Sequence, residues 1–585
     1  MRVLRESTGT LGVWIGESDA LQSAPEAIAH AIRRVGRPLF VVAADGEPAV
    51  THAGQVRLGE MPADRGGLAC EDEGGGLARD SEGARPLLAY VPALPPERLG
   101  EASFRQRYSL RYAYVGGAMA HGIASTAMVR ALGQAGMLGF FGAAGLSLER
   151  IAAAIDEIQA AGDFPAGFNL IYNPAEPRHE AAVVELYLRR GVRLVSAAAY
   201  IDLSLPLVRY RVAGLRRGPD GAALAENRII AKVSRVEVAR RFFSPPPEAM
   251  VAELLRRGEI TSEQAELASQ VPMADDLTAE ADSGGHTDNR PALALLPTML
   301  ALRDEYQRRW GPQRRIHIGA AGGIATPAAA AAAFALGAGY VLTGSINQAC
   351  VESGTSPAVR RMLAEARQAD VTMAPAADMF EMGVQVQVLK RGTMFAVRAR
   401  KLFELYRACG SLDDIPPAER QKLETTVFRL PLDEVWQQTR AFFMQRDKAQ
   451  IERAERDPKH RMALVFRWYL GQASHWAIAG DPQRVMDYQV WCGPAMGAFN
   501  EWVRGTWLEQ PEARDVVTVG RNLLTGAAAL TRAGWLAAGG LTLPAEARAF
   551  VPLTIAELDE LEQASEPVER GHTAVAAAGR QVESA

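Results

Sequence analysis

Cysteine is scarce in this chain: four residues among 585, Cys70, Cys350, Cys409 and Cys492, with no CxxC pair. Scattered in this way they argue against a zinc site or a disulfide framework, and they fit a reducing cytoplasm. An excess of charge of one sign is missing too. Lys and Arg number 64 and Asp and Glu 68, a formal net charge of −4, so nothing electrostatic favours nucleic acid as a partner. No apolar run reaches the length that spans a bilayer, so a membrane is not an expected partner either. Met1 to Ile15 is interrupted by Arg2, Arg5, Glu6 and glycines, unlike a signal peptide. GxSxG, P-loop and HExxH signatures are absent, which leaves hydrolase and kinase functions without their residues.

What is present is ordinary globular composition, 48% hydrophobic and 23% charged, in a chain long enough for roughly two or three domains. Residues 1–104 are glycine-rich with short strand-like pieces, Pro38–Val42 and Pro86–Val91. Between these lies a polar segment, Ala63–Arg85, with the composition of a flexible loop. They predict a small β-rich N-terminal domain. From Tyr112 apolar runs alternate with helical runs. The candidate strands are Tyr112–Ala120, Met137–Gly145, Gly167–Asn173, Leu194–Ile201, Arg228–Ser234, Asp275–Ser283, Arg315–Ile324 and Tyr340–Ser345. Apolar runs without strict alternation suit a parallel sheet buried on both faces. Eight strand–helix units in roughly 250 residues predict an α/β fold, a (β/α)8 TIM barrel over 105–400, with a doubly wound open sheet as the competitor. The long connection 236–274 reads as a helical-hairpin insertion, either a lid or substrate wall on the strand-exit face or an inert decoration. From Lys401 the chain is helical and rich in aromatics, including Trp436, Phe442, Phe443, Trp468 and Trp491. Such residues at helical spacing form a core or an interface between copies, which leaves a homodimer open. The helical domain is expected over 401–565 and a disordered tail over 566–585.

Three stretches can carry chemistry. The first, Ala281 to Pro291, contains Gly284-Gly285-His286 where a strand ends and a helix begins, which in a parallel barrel is the catalytic face. Its glycines admit a flat ligand to the backbone, and His286 suits proton work near neutrality. The bland alternative is a turn with Asp288 or Asn289 capping the next helix. The second is Gly319 to Pro327, with Gly322-Gly323-Ile324, followed by Thr343-Gly344-Ser345. Loops after strands seven and eight, with a helix start beside them, make a phosphate pocket. Its G-x-x-G-G spacing, with no acid about 20 residues on, excludes a Rossmann fingerprint. The third is Gly116 to Ser125 at the end of strand one, where Gly117, Ala118 and Met119 offer small residues to a flat ring. Asn169 and Lys232 are polar residues inside apolar strands. Each either contacts a ligand or emerges solvated at the strand end, and an anionic ring would justify the charge of Lys232. His121 either nears the ligand or starts a helix, and His317 reads as a satisfied core residue. No metal site is expected.

These runs resemble the FMN-dependent nitronate monooxygenase and enoyl-reductase superfamily. With Ala281–Pro291, the Met-Ala-Pro-Ala-Ala-Asp-Met-Phe-Glu-Met run inside Asp370–Arg400, and Phe466–Glu509, the chain resembles its PfaD branch. Those proteins are the enoyl reductases of polyunsaturated fatty acid synthases and trans-acyltransferase polyketide synthases. The resemblance implies a barrel binding FMN without a covalent bond. Gly117, Ala118 and Met119 would back the ring, and Asn169 and Lys232 would meet its polar edge. Gly285, Gly322, Gly323, Gly344 and Ser345 would hold the phosphate end, and Gly284, Ile324 and Thr343 would also belong to the cofactor site. It implies trans-acting reduction of a 2-enoyl thioester on an acyl carrier protein domain, with NADPH or NADH as hydride donor. Lys232 would stabilise charge on the reduced ring, and His286 would orient the thioester carbonyl or supply the proton. The alternatives are a flavin monooxygenase acting on a nitronate and a non-catalytic assembly protein.

Overall fold

The computed structural model describes residues 11–44, 47–58, 84–174 and 176–563. Cys70, the expected loop up to residue 83, the N-terminal ten residues and the expected tail lie outside the described residues. The chain divides into two compact units, Met1–Leu99 with Arg521–Ala585, and Gly100–Gly520. The stretch from Arg521 therefore groups with the N-terminal sheet, whereas composition alone joins it to the helical region.

The first unit is a five-stranded antiparallel sheet in the order Glu47–Thr51, Leu39–Ala44, Ala84–Val91, Gly12–Ile15, Gln55–Leu58. Side chains alternate along a strand, so Phe40 and Val42 pack with Trp14 and Leu87, while Leu39 and Val41 face the helix Pro25–Arg33. Ala533, Leu536, Leu541 and Leu543 complete that second core. Arg532 is buried there and donates to the carbonyls of Ile32, Arg34 and Arg37. These contacts explain the grouping: the apolar face of the sheet is covered by sequence from the other end of the chain.

The second unit is a closed parallel barrel, and all eight expected strands are in it. They are β1 (Tyr114–Gly116), β2 (Leu138–Phe141), β3 (Ala166–Ile171), β4 (Leu194–Ala198), β5 (Arg228–Val233), β6 (Asp276–Glu280), β7 (His317–Ala321) and β8 (Tyr340–Thr343). Neighbours pair in sequence order and β8 returns to β1, so no open sheet edge remains. Strands Val371–Pro375 and Gln385–Leu389 form a hairpin, which the two-residue strand Gly285–His286 joins by pairing with Val386–Gln387. Helices from Phe395 to Ala479 follow. Their aromatic residues Trp436, Phe443, Phe466 and Tyr469 are buried in one core, so packing within the chain accounts for them. No helix among the described residues is long and apolar enough to cross a membrane.

The insertion forms the expected helices, Glu248–Arg256 and Ser262–Leu267, the second opened by a Thr261/Gln264 capping box. Its position does not match the lid or substrate-wall alternative. The crossover helix Val236–Phe243 has already returned to the strand-entry end when the insertion begins. Gln264 there bonds the carbonyl of Ala213, Arg211 bonds that of Pro272, and Ala274 N–H donates to Phe242. None of residues 244–274 reaches the barrel mouth cavity.

The strand-entry end carries a buried polar cluster. Asp276 is fully buried and accepts from Arg107 at 2.8 Å, Tyr108 at 2.6 Å and the His317 ring at 2.6 Å. His317 is satisfied on its other side by Ser103 at 2.8 Å, as a core histidine should be. Burial alone would raise the carboxyl, but Arg107 and His317 hold it below the usual range. Asp276→Ala leaves Arg107 and His317 without their carboxylate and is expected to cost about 3–5 kcal/mol, read as a lower denaturant midpoint. Because the folded-state pKa is depressed, the native contribution is present above the ordinary carboxylate pKa of about 4 and is lost as pH falls. A variant as stable as the native protein would contradict this.

Candidate active site

The strand-exit rim gathers Gly117–Met119 after β1, Asn169 in β3, Lys232 in β5 and Glu280 at the end of β6. Beyond Glu280, residues 281–291 form a loop pinned to the hairpin. Gln387 Nε2 donates to Asp282 Oδ1 at 2.7 Å and to the Ser283 carbonyl at 2.8 Å, and Asn289 Nδ2 donates to Asp282 Oδ1 at 2.8 Å. Asp288 is fixed by Ser234 and by a two-pronged pair with Arg235, whose hydrogen bonds lower its carboxyl to about 2. Neither Asp288 nor Asn289 caps the next helix, whose N-cap is Pro291. The bland capping alternative is therefore replaced by a tethering role. Gly285 has φ of +82°, a conformation that only glycine adopts freely, and it turns the chain into its strand pairing with Gln387.

That pairing sets His286 opposite Asp378, with Nε2 and Oδ1 3.2 Å apart. Both side chains keep about a quarter of their surface open, 28% and 27%. Burial pushes the imidazole down, but the charge and hydrogen bond of Asp378 outweigh it and raise His286 above the ordinary histidine value. The same attraction outweighs burial at Asp378 and lowers its carboxyl. Lys232 Nζ pairs with Glu280, which also accepts from Ser283 Oγ at 3.0 Å. An anionic ligand is the justification that sequence offers for a charge at Lys232. Glu280 already supplies a counter-charge, so that inference does not stand on burial alone.

A cavity of about 720 Å³ opens over this rim. Gly117, Ala118, Met119, Asn169, Lys232, Gly284, Gly285 and His286 line it. Asn169 Oδ1 accepts from the amides of Ala143 and Ala144, which fixes the loop after β2. Gly117 serves packing as well as approach, since a Cβ there would lie 2.7 Å from Leu342. His121, in a left-handed backbone conformation, lies parallel to Trp491 at 5.7 Å and edge-on to His475 at 5.0 Å. Burial, His475 and Arg446 lower it to about 4, so it is neutral near neutrality. The far wall comes from the helical region: Phe442, Phe443, Arg446, Arg467 and Trp468. Arg446 pairs with Glu176.

Of the expected phosphate residues Gly285 lines this cavity, while Gly322, Gly323, Gly344 and Ser345 do not. Gly322 and Gly323 have φ of +80° and +78°. A Cβ on Gly323 or Gly344 would meet nothing within 4 Å, whereas one on Gly322 would strike the Ala281 backbone at 2.6 Å. Among the described residues no hydrogen bond uses the amides of Gly323, Ile324, Gly344 or Ser345. Open space beside unused amides suits an anion. The Thr343 hydroxyl is engaged with Tyr114 at 2.6 Å and with Asn347, so it supports the loop from below. Ser345 Oγ accepts from Gly493 N–H at 3.1 Å. The Cys492–Gly493 backbone presses against Gly284. Sequence reasoning misses Glu280, the role of Asp378 and the helical wall. Asp378 sits in the Met-Ala-Pro-Ala-Ala-Asp run, a signal for the family that carries no hint of a partner.

Comparison with known proteins agrees with this architecture. The nitronate monooxygenase family matches residues 105–401. The inserted helical domain of acyl-carrier-protein S-malonyltransferase matches residues 409–488. A polyunsaturated fatty acid synthase component of Thraustochytrium sp. is 49% identical over 442 residues, 74% of this chain and 30% of that protein. Polyketide biosynthesis protein PksE of Bacillus subtilis is 46% identical over 436 residues, 74% of this chain and 56% of that protein. The chain thus spans between 30% and 56% of the length of these relatives. The crystal structure of the enoyl reductase domain of MlnA, from the macrolactin biosynthesis cluster of Bacillus amyloliquefaciens, is 41% identical with a TM-score of 0.71, covering 75% of this chain and 99% of that one.

A Cβ at Gly284 would meet backbone atoms of Cys492 at 2.9–3.0 Å. Gly284→Ala is expected to lose about 1–3 kcal/mol through overpacking, seen as a lower melting temperature. Gly344→Ala, with open space around its Cβ, should leave that temperature unchanged. Equal behaviour of the two variants would contradict the close approach.

Proposed function

The chain belongs to the nitronate monooxygenase family, in its PfaD-type enoyl-reductase branch. From that premise we propose that it is an FMN-dependent enoyl reductase, with NADPH or NADH as hydride source. Its substrates are 2-enoyl thioesters borne by acyl carrier protein domains of a polyketide or polyunsaturated fatty acid synthase. The observation that carries this reading is the pairing of His286 with Asp378 over a cavity whose floor is the glycine-containing rim and whose roof is the helical segment 409–488.

The residues present fit FMN. The backbone of Gly117–Met119 presents small residues to a flat ring. Asn169 and Lys232 offer nitrogen donors on one side of it. The unused amides at Gly323, Gly344 and Ser345, with no Cβ in the way at the first two, suit the phosphate. Bound FMN supplies hydride transfer between the nicotinamide and the β-carbon of the enoyl thioester. His286, held above the ordinary histidine value by Asp378, polarises the thioester carbonyl or gives the proton that the α-carbon needs. Lys232, tethered by Glu280, sets the local charge at the polar edge. Phe442, Phe443 and Trp468 exclude water from the acyl chain. The match of residues 409–488 to part of a carrier-protein acyltransferase supports a carrier-borne substrate.

His286→Ala should keep the yellow colour of the purified protein while kcat for enoyl-thioester reduction falls on the order of a hundredfold or more; unchanged turnover would remove His286 from the reaction. Gly323→Asp should abolish the flavin absorption spectrum, because a carboxylate would face the phosphate; retained flavin would contradict the pocket. Oxygen consumption driven by a nitronate and insensitive to NADPH would favour the monooxygenase alternative instead.

A further inference from the structure

We propose that Asp378 is the positioning residue for His286, and that Phe380, wedged into the helical core, holds the turn that carries Asp378, so that the helical wall orients the imidazole over the barrel mouth. This rests on the enoyl-reductase reading for the chemistry it serves, but its geometry is independent of it.

Asp378 lies on the turn between Val371–Pro375 and Gln385–Leu389, and that turn is held at several points. Ala376 N–H donates to Val384 at 2.9 Å and Gly383 N–H to Phe380 at 3.0 Å. Phe380, fully buried, is wedged among Phe403, Tyr406 and Phe466 of the helical core. Two residues before this anchor, the carboxylate meets His286 Nε2 at 3.2 Å. Arg467 is 10% exposed, lines the same cavity and pairs with Glu381 at 3.5 Å. Its charge stabilises the ionised form of Asp378. The other charged and titratable groups facing the pair are Lys232 and Glu280 from the barrel and His121 after β1. Lys232 opposes protonation of His286 and Glu280 favours it, but Asp378 contributes more than either. An imidazole with one nitrogen held by a fixed carboxylate keeps one orientation. Without it the ring keeps its place in the strand and loses its aim.

The test uses the full chain labelled with 15N-histidine, which has nine histidines. The His286 signal is identified by its loss in His286→Gln. We expect the His286 titration midpoint to fall in Asp378→Asn and to recover in Asp378→Glu. In Arg467→Met it should stay raised or rise, because a nearby positive charge has gone. An unchanged midpoint in Asp378→Asn would overturn the assignment. So would an Arg467→Met fall as large as that of Asp378→Asn, since the midpoint would then not report the Asp378 carboxylate in particular. The titration needs no substrate, so failure to reduce enoyl thioesters would sink the functional reading and leave this one standing. Where reduction is observed, Asp378→Asn should lower kcat about tenfold or more with KM little changed. The alkaline limb of its pH profile should move to lower pH, because the protonated imidazole is lost sooner.

Discussion

Two residues of backbone pairing hold this site together. Gly285 and His286 leave the barrel after β6 and hydrogen-bond as a short strand to Val386 and Gln387. A strand pairing fixes which face each side chain takes, so this register determines that His286 meets Asp378. The amide of Gln387 then fastens Asp282 and Ser283, and Asn289 closes the loop onto the same carboxylate. A loop tied at several points loses few conformations on binding a ligand, which is how a side chain in a connection can be held as firmly as one in a strand.

The barrel separates its polar clusters by purpose. At the strand-entry end Asp276, Arg107, Tyr108, Ser103 and His317 satisfy one another, and none of them lines the barrel-mouth cavity. At the strand-exit end Lys232–Glu280 and His286–Asp378 are also paired, but each pair keeps part of its surface on the cavity. That division is general for such barrels: stability at one face, chemistry at the other. The helical region adds a roof whose own core is aromatic and continuous with the hairpin carrying Asp378.

Much of this is legible in the sequence. Strand positions follow from apolar runs bounded by turns, because a strand buried on both faces leaves a local trace. The glycines and His286 are legible because they fall where a strand becomes a helix. Residues whose role depends on distant partners are not. Glu280 is 48 residues from Lys232 and Asp378 is 92 from His286, and no local pattern announces such a pair. Sequence leaves both readings of the insertion open for a related reason: composition shows that a helical hairpin exists but not which end of the barrel it joins. That depends on whether the crossover helix has already returned.

The most direct measurement of the central claim is a crystal structure of the protein with FMN and a saturated acyl thioester bound together. The account predicts the ring against Gly117–Met119, its phosphate at the amides of Gly323 and Gly344, and the thioester carbonyl facing His286 with Asp378 behind it. A ring bound elsewhere, or an imidazole turned away from the thioester while still paired with Asp378, would contradict it.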